Sequence, residues 1–152
     1  MKKVSSLLLL ALFAITTISC SKDDGAVPTS TPVSPVAGDG FRWTDSSSSS
    51  VQTVNNPYAS NQFKTIFATN TGGGTVYEIN LTSIAIGTYD IMASGNAFFY
   101  QNSTMSAAFS PTSGSVVITS NSNNKLTGTF TASGTGGGIT SVSGSFTNIA
   151  IN

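Results

Sequence analysis

The sequence predicts an all-β fold, an antiparallel β-sandwich or small β-barrel of about eight or nine strands joined mostly as sequential hairpins. Three observations predict it. After the N-terminal leader the chain is dominated by Ser, Thr, Val, Ile and aromatic residues, with Gly and Asn as punctuation. No long stretch there spaces its apolar residues at the helical period. Short polar loops, Thr71-Gly72-Gly73-Gly74 and Asn121-Ser122-Asn123-Asn124 among them, separate the apolar runs and suit antiparallel turns.

The elements follow in order. Phe41 and Trp43 share one face of an opening strand. The serine run at 46–50 and the polar tract through Pro57 predict a mobile loop after it. Phe63, Thr65 and Phe67 alternate as one half-buried face. Tyr77, Ile79 and Leu81 then face one way while Glu78 and Asn80 face the other. Further strands are expected over residues 84–91, broken at Gly87, and over 97–101, 105–109, 115–120, 125–132 and 139–151. Phe98-Phe99-Tyr100 sets three rings on consecutive positions, so a strand there shows rings to both of its faces.

The last two strands echo each other. Leu126-x-Gly128-x-Phe130-Thr131 recurs sixteen residues later as Val142-x-Gly144-x-Phe146-Thr147, which predicts that the two pair. A glycine two positions before a buried phenylalanine leaves room for a ring from the neighbouring strand or lets the sheet bend. This is a packing device rather than a site. After Phe146 the apolar parity moves to Ile149 and Ile151, which predicts a bulge near Asn148.

Residues 1–19 read as an export signal, with Lys2 and Lys3 at the start, an apolar run over 7–18 and the small Ser19 before the cleavage point. The run is shorter than the roughly 20 apolar residues a spanning helix needs, so it is expected to be removed. Ile18-Ser19-Cys20 resembles the lipobox of bacterial lipoproteins, with Thr17 where that pattern usually has an aliphatic residue. The resemblance implies that the mature chain begins at Cys20, acylated on its sulfur and its amino terminus. Two or more acyl chains hold a protein durably at a membrane. Lys22, Asp23 and Asp24 resemble the signal that carries lipoproteins of Bacteroidota to the outer face of the outer membrane.

Residues 20–36 then form a linker in which Pro28, Pro32 and Pro35 favour extended polyproline II. Residues 37–152 have the length of one all-β domain. With Phe41-Arg42-Trp43, Gly87-Thr88-Tyr89, Gly128-Thr129-Phe130-Thr131 and Gly144-Ser145-Phe146 added, the chain is similar to small surface lipoproteins of Bacteroidota. That resemblance implies a surface location and an all-β fold, and brings no particular activity with it.

Chemistry is limited by what the chain lacks. It has no histidine, and its one cysteine, Cys20, is expected to carry lipid, so neither a Ser-His-Asp nor a Cys-His arrangement can be assembled. Zinc lacks its common ligands, and neither a metal nor a cofactor is expected. Asp39, Asp45, Glu78 and Asp90 are the carboxylates a glycosidase would draw on, yet their spacing supports no pair. Asp39 and Asp45 flank the first strand at a spacing that matches no calcium loop. The triplets at 72–74 and 136–138 lack the following helix and the lysine of a phosphate loop. Only 8% of the chain is charged and the net charge is zero, with no basic stripe for nucleic acid.

These residues lead to the expectation of a non-catalytic binding or accessory module, anchored in the outer membrane and facing the cell exterior. Its partner is expected to be an outer-membrane transport or secretion protein, or a glycan. Trp43, Tyr58 and Phe99 are the candidates for a flat aromatic patch, the alternative being a strand over 97–101 buried on both faces with Phe99 in the core. A barrel-type carrier of a small apolar ligand is the alternative, followed by a carboxylate-dependent glycosidase.

Overall fold

Alternation of large apolar and small polar side chains at period two, with no competing helical stripe, produces strands throughout. The computed structural model describes residues 38–70 and 74–152. Expectations for the leader, Cys20, Lys22, Asp23, Asp24 and the linker therefore lie outside the described residues. Ten strands run in chain order: β1 (Gly40–Asp45), β2 (Ser48–Thr53), β3 (Asn56–Ser60), β4 (Thr65–Thr69), β5 (Thr75–Asn80), β6 (Gly87–Asp90), β7 (Ala97–Asn102), β8 (Ser110–Ser122), β9 (Lys125–Gly136) and β10 (Ile139–Ile151). The fold is all-β, with no helix among the described residues.

The strands form one sheet in the order β6-β8-β9-β10-β3-β4-β5-β7, curled into a half-barrel. β1 leaves this path, pairing antiparallel with β10 on one side and with β2 on the other. β10 is thus a junction. Its longer first part lies between β9 and β1, and its end pairs parallel with β3 at Ala150↔Tyr58 and Ile151↔Ala59. An isolated bridge, Tyr100↔Phe109, brings the chain just before β8 against β7. The parallel pair makes the sheet mixed, where antiparallel pairing alone was expected.

The predicted echo explains the middle of the sheet. β9 and β10 pair with Gly144 opposite Phe130 and Phe146 opposite Gly128. A methyl group on Gly128 would lie 2.5 Å from the Phe146 ring, and one on Gly144 would lie 2.5 Å from the Phe130 ring. Each glycine therefore makes the space that the other strand's ring fills. The register shifts between Phe146 and Ile149, and Asn148 has φ of 52°, which is the bulge that the change of parity predicts.

Within the curl, Phe41, Trp43, Tyr77, Tyr100, Phe130 and Phe146 are almost wholly buried, with Ile66, Ile79, Ile118 and Leu126 among them. Tyr77 is the hub. It stacks on Tyr100 at 4.3 Å and 10°, and meets Trp43, Phe41, Phe98 and Phe130 within 5.9 Å. Offset and edge contacts of this kind add about 1 kcal/mol each beyond the area they bury.

Four sequence expectations are corrected. The tract from Ser46 to Pro57 is not a loop, because it supplies β2 and the start of β3. β2 is an edge strand whose residues are all exposed or half-buried, so it needs no apolar alternation, and Pro57 is tolerated because β10 reaches only Tyr58 and Ala59. Residues 105–109 are not a strand. The Asn102 side chain accepts from the Thr104 backbone and hydroxyl, and this turn ends β7. Of residues 84–91 only β6 is extended, since Ser83 caps the Ala85 amide in the loop before it. Finally, Thr65 and Phe67 share a face of β4, but Phe63 does not share it. Lys64 adopts φ of 55° and leaves Phe63 in the turn, while β4 turns Ile66 and Ala68 inward and Phe67 outward.

Candidate functional site

The outward face of β3, β4, β5 and β7 carries the candidate site. Strand register fixes it: Tyr58 lies opposite Phe67, Phe67 opposite Glu78, and Glu78 opposite Phe99. At about 4.8 Å between strands, these four side chains form one straight row across the sheet. Tyr58 and Phe67 are stacked with centroids 5.2 Å apart and planes at 24°. Their faces cover one another, so their edges meet solvent as a ridge rather than a flat platform. Glu78 follows, half-buried, and accepts a hydrogen bond from Asn80 Nδ2 at 3.0 Å. Phe99 ends the row with 38% of its surface exposed, while Phe98 and Tyr100 on either side of it point into the core.

A shallow depression of about 300 Å³ adjoins the row, lined by Gly74, Val76, Gln101, Asn102 and Ser103. Val76 pairs with Gln101 in the neighbouring register position on the same outward face. The surface beside Phe99 thus combines an exposed valine with amide and hydroxyl groups.

Trp43 does not belong to this surface. It is 1% exposed, its ring packs against Tyr77 and its indole nitrogen donates to the Tyr100 hydroxyl at 3.1 Å. The reason is the inward parity of β1, which buries Phe41, Trp43 and Asp45 alike. Of the three expected patch residues, Tyr58 and Phe99 share a face. Phe67 takes the place between them, and its outward direction could have been read from Ile66 and Ala68, the apolar pair that brackets it.

A second polar group lies inside the curl. The Tyr100 hydroxyl donates to Asp45 Oδ2 at 2.8 Å and accepts from Asn102 Nδ2 at 3.0 Å. Asp45 also accepts from the Ser47 backbone and hydroxyl and from Gln52 Nε2. Burial by itself would raise the Asp45 pKa, but the hydrogen bonds from Ser47, Tyr100 and Gln52 outweigh it and hold the carboxyl below its ordinary value. Tyr100 is shifted upward, chiefly by burial, and Tyr77 well upward for the same reason. The Tyr77 hydroxyl is buried near Tyr100 and Asp45, yet it reaches no partner with hydrogen-bond geometry.

An ionised aspartate saturated with donors and the protonated Tyr100 phenol form a structural clamp across β1, β2 and β7. They are poorly suited to proton transfer, which needs a group poised near working pH. The other carboxylates are scattered. Asp39 accepts from Asn148 beyond the far end of β1 from Asp45, and Asp90 accepts from the Met92 amide after β6. Among the described residues no three His, Cys, Asp or Glu side chains gather as metal ligands. The glycines at 136–138 form the β9–β10 turn with φ of 127°, 59° and 82°, and a strand follows them rather than a helix.

No protein-family model, curated protein or solved structure matches this chain.

Proposed function

We propose that this chain is a lipid-anchored outer-membrane module, displayed on the cell exterior, that binds a partner protein through the row Tyr58, Phe67, Glu78 and Phe99 without catalysing a reaction. One observation carries the reading: three aromatic side chains lie in register on the outward face, although the core has rings enough of its own. Ordinary strand faces turned to water carry Ser, Thr and charged residues, as β9 does with Thr127, Thr129 and Thr131. A ridge of ring edges fits a groove on a protein, where buried aromatic anchors carry most of the binding energy.

The depression lined by Gln101, Asn102 and Ser103 favours a glycan as the second reading, because amides and hydroxyls there can meet sugar hydroxyls while Phe99 meets a sugar face. The carrier reading is weakened by the interior, which is occupied by Tyr77 and the rings around it. The glycosidase reading is weakened by Asp45, whose pKa is lowered where a catalytic acid needs it raised.

The test is recovery of partners by the tagged full-length lipoprotein in mild detergent, with Phe99→Ala and Cys20→Ala beside it. Phe99→Ala should leave the thermal midpoint within a few degrees of the parent, since the ring is partly exposed. It should reduce recovery of a stoichiometric outer-membrane partner by about tenfold, the effect of losing a 1.4 kcal/mol contact. Undiminished recovery with Phe99→Ala would remove the row from the interface, and a collapse in melting temperature would return Phe99 to the core. If only the lipoprotein is recovered, retention on a glycan panel lost in Phe99→Ala decides for the second reading.

A further inference from the structure

We infer that the end of the half-barrel at which the chain enters is a membrane-facing surface that docks on the phosphate-bearing lipid to which the chain is anchored. This rests on the anchored reading above. The end is defined by hydrogen bonds. Asp39 joins Asn148 at 2.9 Å, Asn61 N donates to Asn152 O at 3.0 Å, Ile151 N donates to Asn124 O at 2.9 Å, and Leu81 N donates to Lys64 O at 3.0 Å. The entering chain, the β3–β4 turn, the loop after β5 and the β8–β9 turn therefore share one end.

That end carries Phe63 and Ile86, each 68% exposed and the most exposed of the large apolar side chains described. It also carries Lys64, whose ammonium donates to the Asn61 side chain at 2.9 Å, and Lys125, two of the three cationic residues among those described, against the exposed carboxylate of Asp39 at this end. The opposite end is different. Its turns present Ser46, Ser47, Ser103, Thr104, Ser106 and glycines, with no cation and with Asp45 buried.

Exposed apolar groups flanked by lysines suit an interface, where rings enter the boundary of headgroup and acyl chain and ammonium groups meet phosphate. Residues 21–37 separate Cys20 from the described domain, a reach of at most about 60 Å, so the tether leaves either end free to approach the lipid. What selects the entering end is its chemistry. Because the tether keeps the effective concentration near the millimolar range, a contact too weak to hold a free domain suffices.

The test uses the single buried Trp43 as a silent background. Full-length lipidated Phe63→Trp and Ser106→Trp are reconstituted in phosphatidylglycerol–phosphatidylcholine vesicles containing doxyl-labelled phosphatidylcholine. Quenching at Phe63→Trp should be roughly threefold deeper than at Ser106→Trp, the depth expected of an interfacial side chain. Adding Lys64→Gln and Lys125→Gln should reduce it by about half on these vesicles. Equal quenching at both positions, with the chain retained on vesicles, would overturn the docking surface and leave the anchor standing. A chain that separates from the vesicles on flotation would overturn both.

Discussion

Asp45 shows how a residue's role depends on partners distant in sequence. From sequence it is one of two aspartates flanking a strand, with no sign that Gln52 and Tyr100 converge on it. In the fold it is 7% exposed and holds β1, β2 and β7 together. Asp45→Asn removes the charge those donors serve and turns an amide donor toward them, at a cost of about 3 kcal/mol at neutral pH. The carboxyl's pKa is lowered on folding, so its contribution is full above the ordinary value of 3.8 and is lost as the pH falls through the folded value. Urea unfolding of both forms should therefore show a wide gap in midpoint at pH 7 that narrows toward pH 2. A gap independent of pH would mean that shape, rather than charge, matters at this position. Trp43 is hidden in the same way: its aromatic character can be read, but its burial depends on Tyr77 and Tyr100, on β5 and β7, the latter 57 positions away.

At the scale of elements, legibility followed the presence of a repeated pattern. The pairing of β9 with β10 and the bulge at Asn148 were readable because glycine, phenylalanine and parity all pointed to one register. β2 was not readable, since an edge strand exposed on both sides leaves no periodic mark in Ser48–Thr53. In β4 the alternation holds only from Thr65 onward, with Ile66 and Ala68 inward, because Phe63 belongs to the turn at Lys64. The glycine and phenylalanine exchange makes a sharp prediction. A Cβ on Gly144 would lie 2.3 Å from the Arg42 carbonyl oxygen as well as 2.5 Å from the Phe130 ring. Gly144→Ala should thus cost about 3 kcal/mol or more. Phe130→Leu in the same chain should return only part of it, because the backbone contact remains. A double-mutant cycle on denaturant midpoints checks this; strict additivity would show that the ring and the glycine do not share space.

At the scale of the whole molecule, the all-β class was legible from composition and periodicity, whereas the mixed curl was not. Nothing local in Tyr58 or Ala150 announces that β3 and β10 run parallel, since parallel pairing is a property of topology rather than of either strand. The junction also determines cooperativity. β1 meets only β10 and the edge strand β2, and β3 meets only β10 and β4. A chain ending before Ile139 should accordingly show no protected core in limited proteolysis and no near-ultraviolet signal from Trp43. A protected fragment would show that β3, β4, β5 and β7 fold without the junction. The same topology sets the order of events during synthesis. The first strand waits for the tenth, across contacts such as Asp39 with Asn148 that are 109 positions apart, so loop closure must precede most of the gain from packing. A nascent chain of this kind is expected to stay open until its last strand is available. On the exported reading proposed above, that delay would keep it threadable through a narrow translocation channel, with folding reserved for the far side.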